Sequence, residues 1–486
     1  MRSNLFALLA STLPVVAVAQ SAPVSSSATP PAVESVPLEA PGPGSAGLLS
    51  PSVTGLPGTI WLGSDPGTLE TLVEAVDPRL PALRRLMRSL MLAEADPPLA
   101  NTDGVTHLSL RLDWLVQQGA VEEALALLDI SGIEDRRLFS RWTDLGLLLG
   151  QGDRVCRAWE RRPHLSDDLA LRVFCTARSG DWRRAALVLR SAETLGDVSG
   201  RKADLLHRFL DPEVHENSPA LLPPVRPTPL EFRLFEALGE PLPTAPLPLP
   251  FSVLDLNGDN GWRAQIEAAE RLARAGSLPA NRLLGLYSLR KPAASGGIWD
   301  RVSALQSFEK SLTGGNRDSV SHTLEEAWPQ MVSARLLVPF AELFTEQLDQ
   351  IQLHGRAETM AMRAGFLSSR YEQHAATVPQ TSDEARFLTA IAQGTLPETT
   401  PDLPHAEAAR LGFTDAALPT ILQEKLQQGR LGEVILRAMA LFSSGAQGNG
   451  QDLTDAIVTL RTIGLEDTAR RATLQLIVLD TERALR

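Results

Sequence analysis

The sequence predicts an all-α fold, an irregular α–α superhelix in two helical blocks joined by a Pro-rich crossover. Three observations point there. Apolar residues recur at i, i+3 and i+4 over much of the 486-residue chain, the spacing of a buried helical stripe. A turn signature, G-x-x-x-x-A, recurs between such stripes at residues 119–124, 180–185 and 464–469, with a looser copy from Gly429 to Val434. In each copy the Gly ends one helix, and the small residue one turn into the next lets the two backbones approach. No strand or hairpin pattern stands out between residues 65 and 486.

Residues 1–19 read as an export signal. Arg2 supplies positive charge, residues 5–18 form an apolar core too short to span a bilayer, and Ala17-Val18-Ala19 matches a small-x-small cleavage site. The mature chain is then expected to begin at Gln20. An uncleaved anchor is the alternative, opposed by the short apolar stretch and by Pro14. No Cys follows the cut, so no lipid anchor is expected. No later run has membrane length, so no integral span is expected after cleavage. The expected address is the bacterial periplasm, with secretion as the alternative. Residues 20–58 are rich in Ser, Pro, Ala and Gly and read as a disordered tether, with too little apolar surface to offset ordering.

Residues 59–212 form the N-terminal helical-repeat block. Leu80, Leu83, Leu86, Met87, Leu90 and Met91 make one stripe, and Val121, Ala124, Leu125 and Leu128 make another after Gly119. Gly180 stops a helix and Asp181 caps the next, which starts at Trp182. Residues 213–261 are the Pro-rich crossover. Within it Thr228, Pro229 and Glu231 spell a capping box ended by Gly239, with Phe232, Leu234, Phe235 and Leu238 as packing anchors. Residues 262–486 form the C-terminal helical block. Helices are expected over 262–275, 279–289 and 298–312, then over 332–348 with a kink or split at Pro339. The last helix, with Leu474, Leu476, Ile477, Val478 and Leu479, is apolar nearly all round and must be covered by neighbours or by a partner.

Composition narrows function. The net charge of −12 argues against nucleic acid or an anionic membrane surface as the main partner, although locally basic faces remain open. Aromatic content of 5% disfavours a sugar cleft paved with rings, although eight Trp leave room for one site. The two cysteines, Cys156 and Cys175, flank the turn at Pro163, so an antiparallel hairpin would hold them at similar heights. They read as a disulfide in an oxidising compartment, with two buried thiols as the alternative.

Chemistry-bearing motifs are sparse. The loop from Asp255 to Asp259 opens like a calcium loop, but its twelfth position is Ile266 and its sixth is Asn260, which favours an Asx-rich turn capping the helix at Trp262. Lys291, Ser295, Gly296, Gly297 and Trp299 are the candidate partner-binding residues, since successive glycines before a helix can offer backbone N–H groups to an anion or carboxylate. That loop lacks the Lys-Ser/Thr ending of a phosphate loop. The eight His form no HExxH, no G-x-S-x-G is present, and helical carboxylates such as Glu267 and Glu270 read as solvated faces. No catalytic residue, metal ligand or cofactor is expected.

At residues 119–124 (Gly-Ala-Val-Glu-Glu-Ala) and 180–185 (Gly-Asp-Trp-Arg-Arg-Ala) the chain resembles a degenerate tetratricopeptide-type repeat protein. The intervals between Gly119, Gly152 and Gly180, and between Gly429 and Gly464, lie near that family's repeat length. The resemblance implies stacked helical hairpins offering a surface to another protein. The order of signal, Pro-rich tether and helical body is also similar to the periplasmic motility protein that assists the flagellar stator. It is shared by soluble lytic transglycosylases, which implies a catalytic Glu followed by Ser in a C-terminal module; here Glu-Ser occurs only at Glu34-Ser35. The expectation is a non-catalytic envelope scaffold binding an envelope or periplasmic protein, in a motility or secretion machine. An all-α envelope enzyme acting on peptidoglycan or polysaccharide is the alternative.

Overall fold

The computed structural model describes residues 42–76, 78–101, 103–216, 218–256 and 260–485. The export signal and the first part of the tether lie outside the described residues. So do Asn257, Gly258 and Asp259 of the calcium-like loop. Among the described residues there are 25 α-helices and no strand. One isolated parallel bridge joins Leu49 to Ala93.

The tether ends earlier than its composition predicts, because residues 42–58 are packed. A short helix α1 (Pro51–Thr54) follows the bridge. Leu48 N–H donates to Leu92 O, and Glu94 N–H returns to Leu49 O, both at 2.8 Å. The cause lies far along the chain. Arg111, with no exposed surface, donates to Met91 O, Ala93 O and Ala46 O, each at 2.8 Å. One guanidinium thus ties this opening segment to the end of α3 (Pro81–Leu92) from its place on α4 (Val105–Gln117). Burial alone lowers its pKa to about 10, so it stays charged.

The recurrent turn is confirmed at every copy. Gly119, Gly180, Gly429 and Gly464 have φ of 75°, 90°, 71° and 86°. Ala124, Ala185, Val434 and Ala469 are all fully buried. At the first turn Gly119 N–H bonds to Val116 O and Ala120 N–H to Leu115 O, the paired 5→2 and 6→1 bonds of a Schellman cap, where a left-handed residue favours Gly. The same pattern sits at Gly150, with Val155 as the buried residue. These caps separate α4 from α5 (Val121–Ser131), α6 (Arg136–Leu148) from α7 (Gly152–Arg161), and α8 (Leu169–Arg178) from α9 (Trp182–Leu195).

After α10 (Gly200–Leu210), the crossover helix α11 (Pro229–Ala237) carries its full capping box, with Thr228 Oγ1 accepting from Glu231 N–H and Glu231 reaching back. It packs on α6 and α10, burying Leu230, Phe232, Leu234 and Phe235, while Leu238 is half-buried. Arg233 donates to Leu147 O and Leu148 O, capping the end of α6. The crossover is therefore an integral layer.

Beyond α12 (Ser252–Leu256), helix α13 (Trp262–Ala275) ends on Gly276 as expected, followed by α14 (Ala280–Tyr287) and α15 (Ile298–Gly314). The expected break at Pro339 falls four residues earlier. Helix α16 (Arg317–Ala334) stops at Arg335, in the left-handed conformation with φ 56°. Pro339 then lies in the first turn of α17 (Leu337–Leu348), where a missing N–H costs nothing. The remaining helices are α18 (Gly355–Leu367), α19 (Tyr371–Thr377), α20 (Asp383–Ala392), α21 (Ala406–Gly412), α22 (Thr420–Gln427), α23 (Leu431–Gly445), α24 (Gly450–Thr462) and α25 (Glu466–Ala484).

The apolar last helix is covered by its own chain. Helix α25 packs on α3, α18, α20 and α24, and Gln475 Oε1 accepts the Ala82 N–H of α3 at 2.8 Å. Close by in sequence, the turn at residues 60–65 docks on α23: Gly432 N–H donates to Ile60 O, and buried Glu433 accepts the Asp65 N–H. Helix α3 also meets the middle of the chain. Arg84 donates to Arg274 O, Arg88 to Gly276 O, and Arg85 faces Glu342 of α17. Packing thus runs directly between the segments that the crossover separates in sequence.

Candidate functional site

Two buried carboxylate and guanidinium clusters tie helices together. Glu270 of α13 accepts Tyr287 Oη at 2.6 Å from α14 and a forked pair from Arg301 of α15 at 2.7 and 2.9 Å. Arg363 of α18 bonds Glu384 of α20 at 2.8 Å and Glu482 of α25 at 2.7 Å. His107, buried beside Arg111, has its pKa lowered to about 3, by burial first and by that guanidinium second, so it is neutral. The two ion-pair clusters hold the fold, while His107 lines a separate cavity of about 700 Å³ beside α2 (Pro66–Ala75) and α4.

The region α6–α10 differs. Residues 136–208 carry fifteen Arg and Lys against nine Asp and Glu, a local excess of six positive charges in a chain of net −12. Cys156 of α7 and Cys175 of α8 form a buried disulfide with Cα atoms 5.0 Å apart, bracing these two helices. Helix α9 buries only Ala185, Leu189 and Ala192. Its remaining surface exposes Trp182 (48%), Leu187 (65%) and Leu195 (74%), alongside Arg183 and Arg190. Trp182 rests one side on Phe209, with ring centroids 5.9 Å apart.

Two concavities flank α7. One, about 930 Å³, lies towards α8 and α9, with Trp159, Arg172, Arg184 and Leu195 in its wall. The other, about 320 Å³, lies between α7 and the loop that follows α5. Near this region Asp144 of α6, half-buried, has its pKa raised to about 6, chiefly by burial and secondarily by the Asp168 carboxylate.

The sequence-derived candidates lie elsewhere. Lys291, Ser295, Gly296 and Gly297 share one exposed loop before α15, and Gly296 and Gly297 have φ of 97° and 59°. The N–H of Gly296 is already bonded to Asp300 Oδ1 at 2.8 Å, so the helix's own carboxylate occupies that donor. Trp299 turns inward, half-buried, 5.0 Å from the Trp262 ring. Of the calcium-like loop, Asp255 is described: it accepts from Thr244 Oγ1 and from Asn260 Nδ2. The arginine-rich surface was hidden by the acidic total, although a windowed charge count over residues 136–208 would have found it.

The chain matches no family model, no curated protein and no solved structure. Among the described residues no helix is long and apolar enough to cross a membrane.

Proposed function

We propose that this chain is a non-catalytic adaptor of the bacterial cell envelope, a tetratricopeptide-like helical body that docks another envelope protein in support of a motility or secretion machine. The observation that carries the reading is α9, on which Trp182, Leu187 and Leu195 stand exposed among arginines beside the disulfide-linked pair α7 and α8. Exposed large apolar side chains interspersed with arginine are the composition of protein-docking surfaces. The disulfide and the signal-like leader both favour the periplasm. A photoreactive residue at position 187, crosslinked in intact cells and followed by mass spectrometry, should return the same envelope protein in every replicate. Failure to recover any reproducible envelope partner would end this reading. Cell fractionation should place the protein in the periplasm with an N-terminus at Gln20.

One observation favours the second reading, an all-α enzyme acting on peptidoglycan or polysaccharide. Asp168 lines the larger concavity, and burial together with that carboxylate's charge raises the pKa of Asp144 to about 6, the direction in which a general acid is tuned. Turnover of either polymer that disappears in Asp144→Asn would establish the enzyme and displace the adaptor.

A further inference from the structure

Four arginines line the smaller concavity beside α7: Arg154, Arg157, Arg161 and Arg162. Two of them are held in place. Arg154 donates to Asp129 Oδ1 at 2.6 Å and to Gln151 Oε1 at 2.9 Å, and lies 5.0 Å above the Trp142 ring. Trp142, itself buried, donates its Nε1–H to the same Asp129 oxygen at 2.8 Å. Arg162 pairs with Glu134 at 2.8 Å. The other two, Arg157 and Arg161, are exposed and make no salt bridge among the described residues. The wall is therefore preorganised by a stacked cation, an indole and a carboxylate, and two further guanidiniums line it exposed and without a close ion pair. Its floor is apolar, from Leu128, Ile133 and Ala158.

We infer that this pocket receives acidic side chains from an acidic, apolar-spaced segment of the docked protein, with Arg157 and Arg161 binding its carboxylates. The inference rests on the adaptor reading and names the chemistry of the partner. A cavity of about 320 Å³ holds one or two side chains, and the forked guanidinium matches a carboxylate. A long polyanion or an anionic bilayer fits less well. Outside residues 136–208 the chain carries 31 basic and 49 acidic side chains, so an extended negative surface meets a net repulsive charge that a short segment seated in the pocket does not.

The test uses the full mature chain and a fluorescein-labelled decapeptide of alternating Glu and Leu, read by anisotropy. The alternating Lys and Leu peptide, single-stranded DNA and phosphatidylglycerol vesicles serve as competing probes. The Glu peptide should bind saturably, about tenfold or more tighter than the Lys peptide, and weaken as salt rises. R157E/R161E should reduce that binding about tenfold or more with an unchanged thermal melt, since both side chains are exposed. K310E/R356E, which changes net charge equally at distant exposed positions, should bind as wild type. If R157E/R161E proved unstable, R157Q/R161Q gives the same comparison without reversed charge. Binding unaffected by either variant, or tighter binding of DNA or vesicles than of the Glu peptide, would overturn the inference. Persistence of crosslinks from position 187 alongside such a result would leave the adaptor standing and remove only the acidic segment. Loss of those crosslinks in the wild-type chain would remove the adaptor itself.

Discussion

Arginine does opposite things in two parts of this molecule. On α3, α4 and α18, four arginines are bound into the fold. Arg84 and Arg88 reach the carbonyls that end α13, Arg111 takes three backbone carbonyls, and Arg363 on α18 joins carboxylates of α20 and α25. On α7 and α9, Arg157, Arg161, Arg183 and Arg190 project to solvent without a salt bridge among the described residues. The first set supplies cohesion between distant segments of chain. The second contributes almost nothing to folding, since exposed single charges have little effect on stability. The difference separates residues that make the structure from residues left free to meet something else.

The sharpest break of that comparison is Arg111→Ala. It should lower stability by about 4 kcal/mol, because three buried carbonyls lose a charged donor together. Denaturant melts measure the loss, and hydrogen exchange at residues 46–49 should rise with it. Replacing Cys156 by Ser should cost about 3 kcal/mol, with faster exchange confined to α7 and α8. Gly119 and Gly180 refine the contrast, because both are left-handed but only one is crowded. A Cβ at Gly119 would overlap Leu272 and press on Leu249, whereas one at Gly180 meets nothing. Gly119→Ala should therefore cost about 2 kcal/mol and Gly180→Ala about 1 kcal/mol.

Smaller effects belong to the basic region. Asp144 binds its proton more tightly in the folded than in the unfolded chain, its pKa being about 6 against an ordinary 3.8. Its contribution to stability is full below pH 4 and is lost as pH rises through 6. Asp144→Asn should therefore raise stability at pH 7.5 by about 1 kcal/mol and flatten the profile between pH 4 and 6. Smallest of all, Arg157→Ala with Arg161→Ala should move stability by less than about 0.5 kcal/mol. A loss comparable to that of Arg111→Ala would abolish the distinction between the two sets.

What the sequence made legible was local. The Schellman turns, the capping box of Thr228 and Glu231, the bounds of α13 and the pairing of Cys156 with Cys175 all follow from residues a few positions apart or from one hairpin. What it concealed depended on distance. Residues 42–58 look like tether until Arg111, more than fifty positions on, is seen gripping Ala46. The stop at Arg335 follows from a non-Gly residue adopting φ 56°, which no pattern announces. The arginine-rich surface of α7 and α9 escaped for the same reason. Arginines 84 and 157 look alike in sequence, and only the arrival of α13 beside α3 shows which is engaged.

The bond from Gln475 to Ala82 spans 393 positions. A polypeptide emerging N-terminus first, from a ribosome or through a translocation channel, has made the leucine stripe of α3 long before the helix that shields it exists. Contacts of such range close slowly, and the uncovered apolar side is adhesive throughout the delay. Nicking within α25 would therefore uncover the side of α3 it packs on, and a holding chaperone would find its most persistent target there.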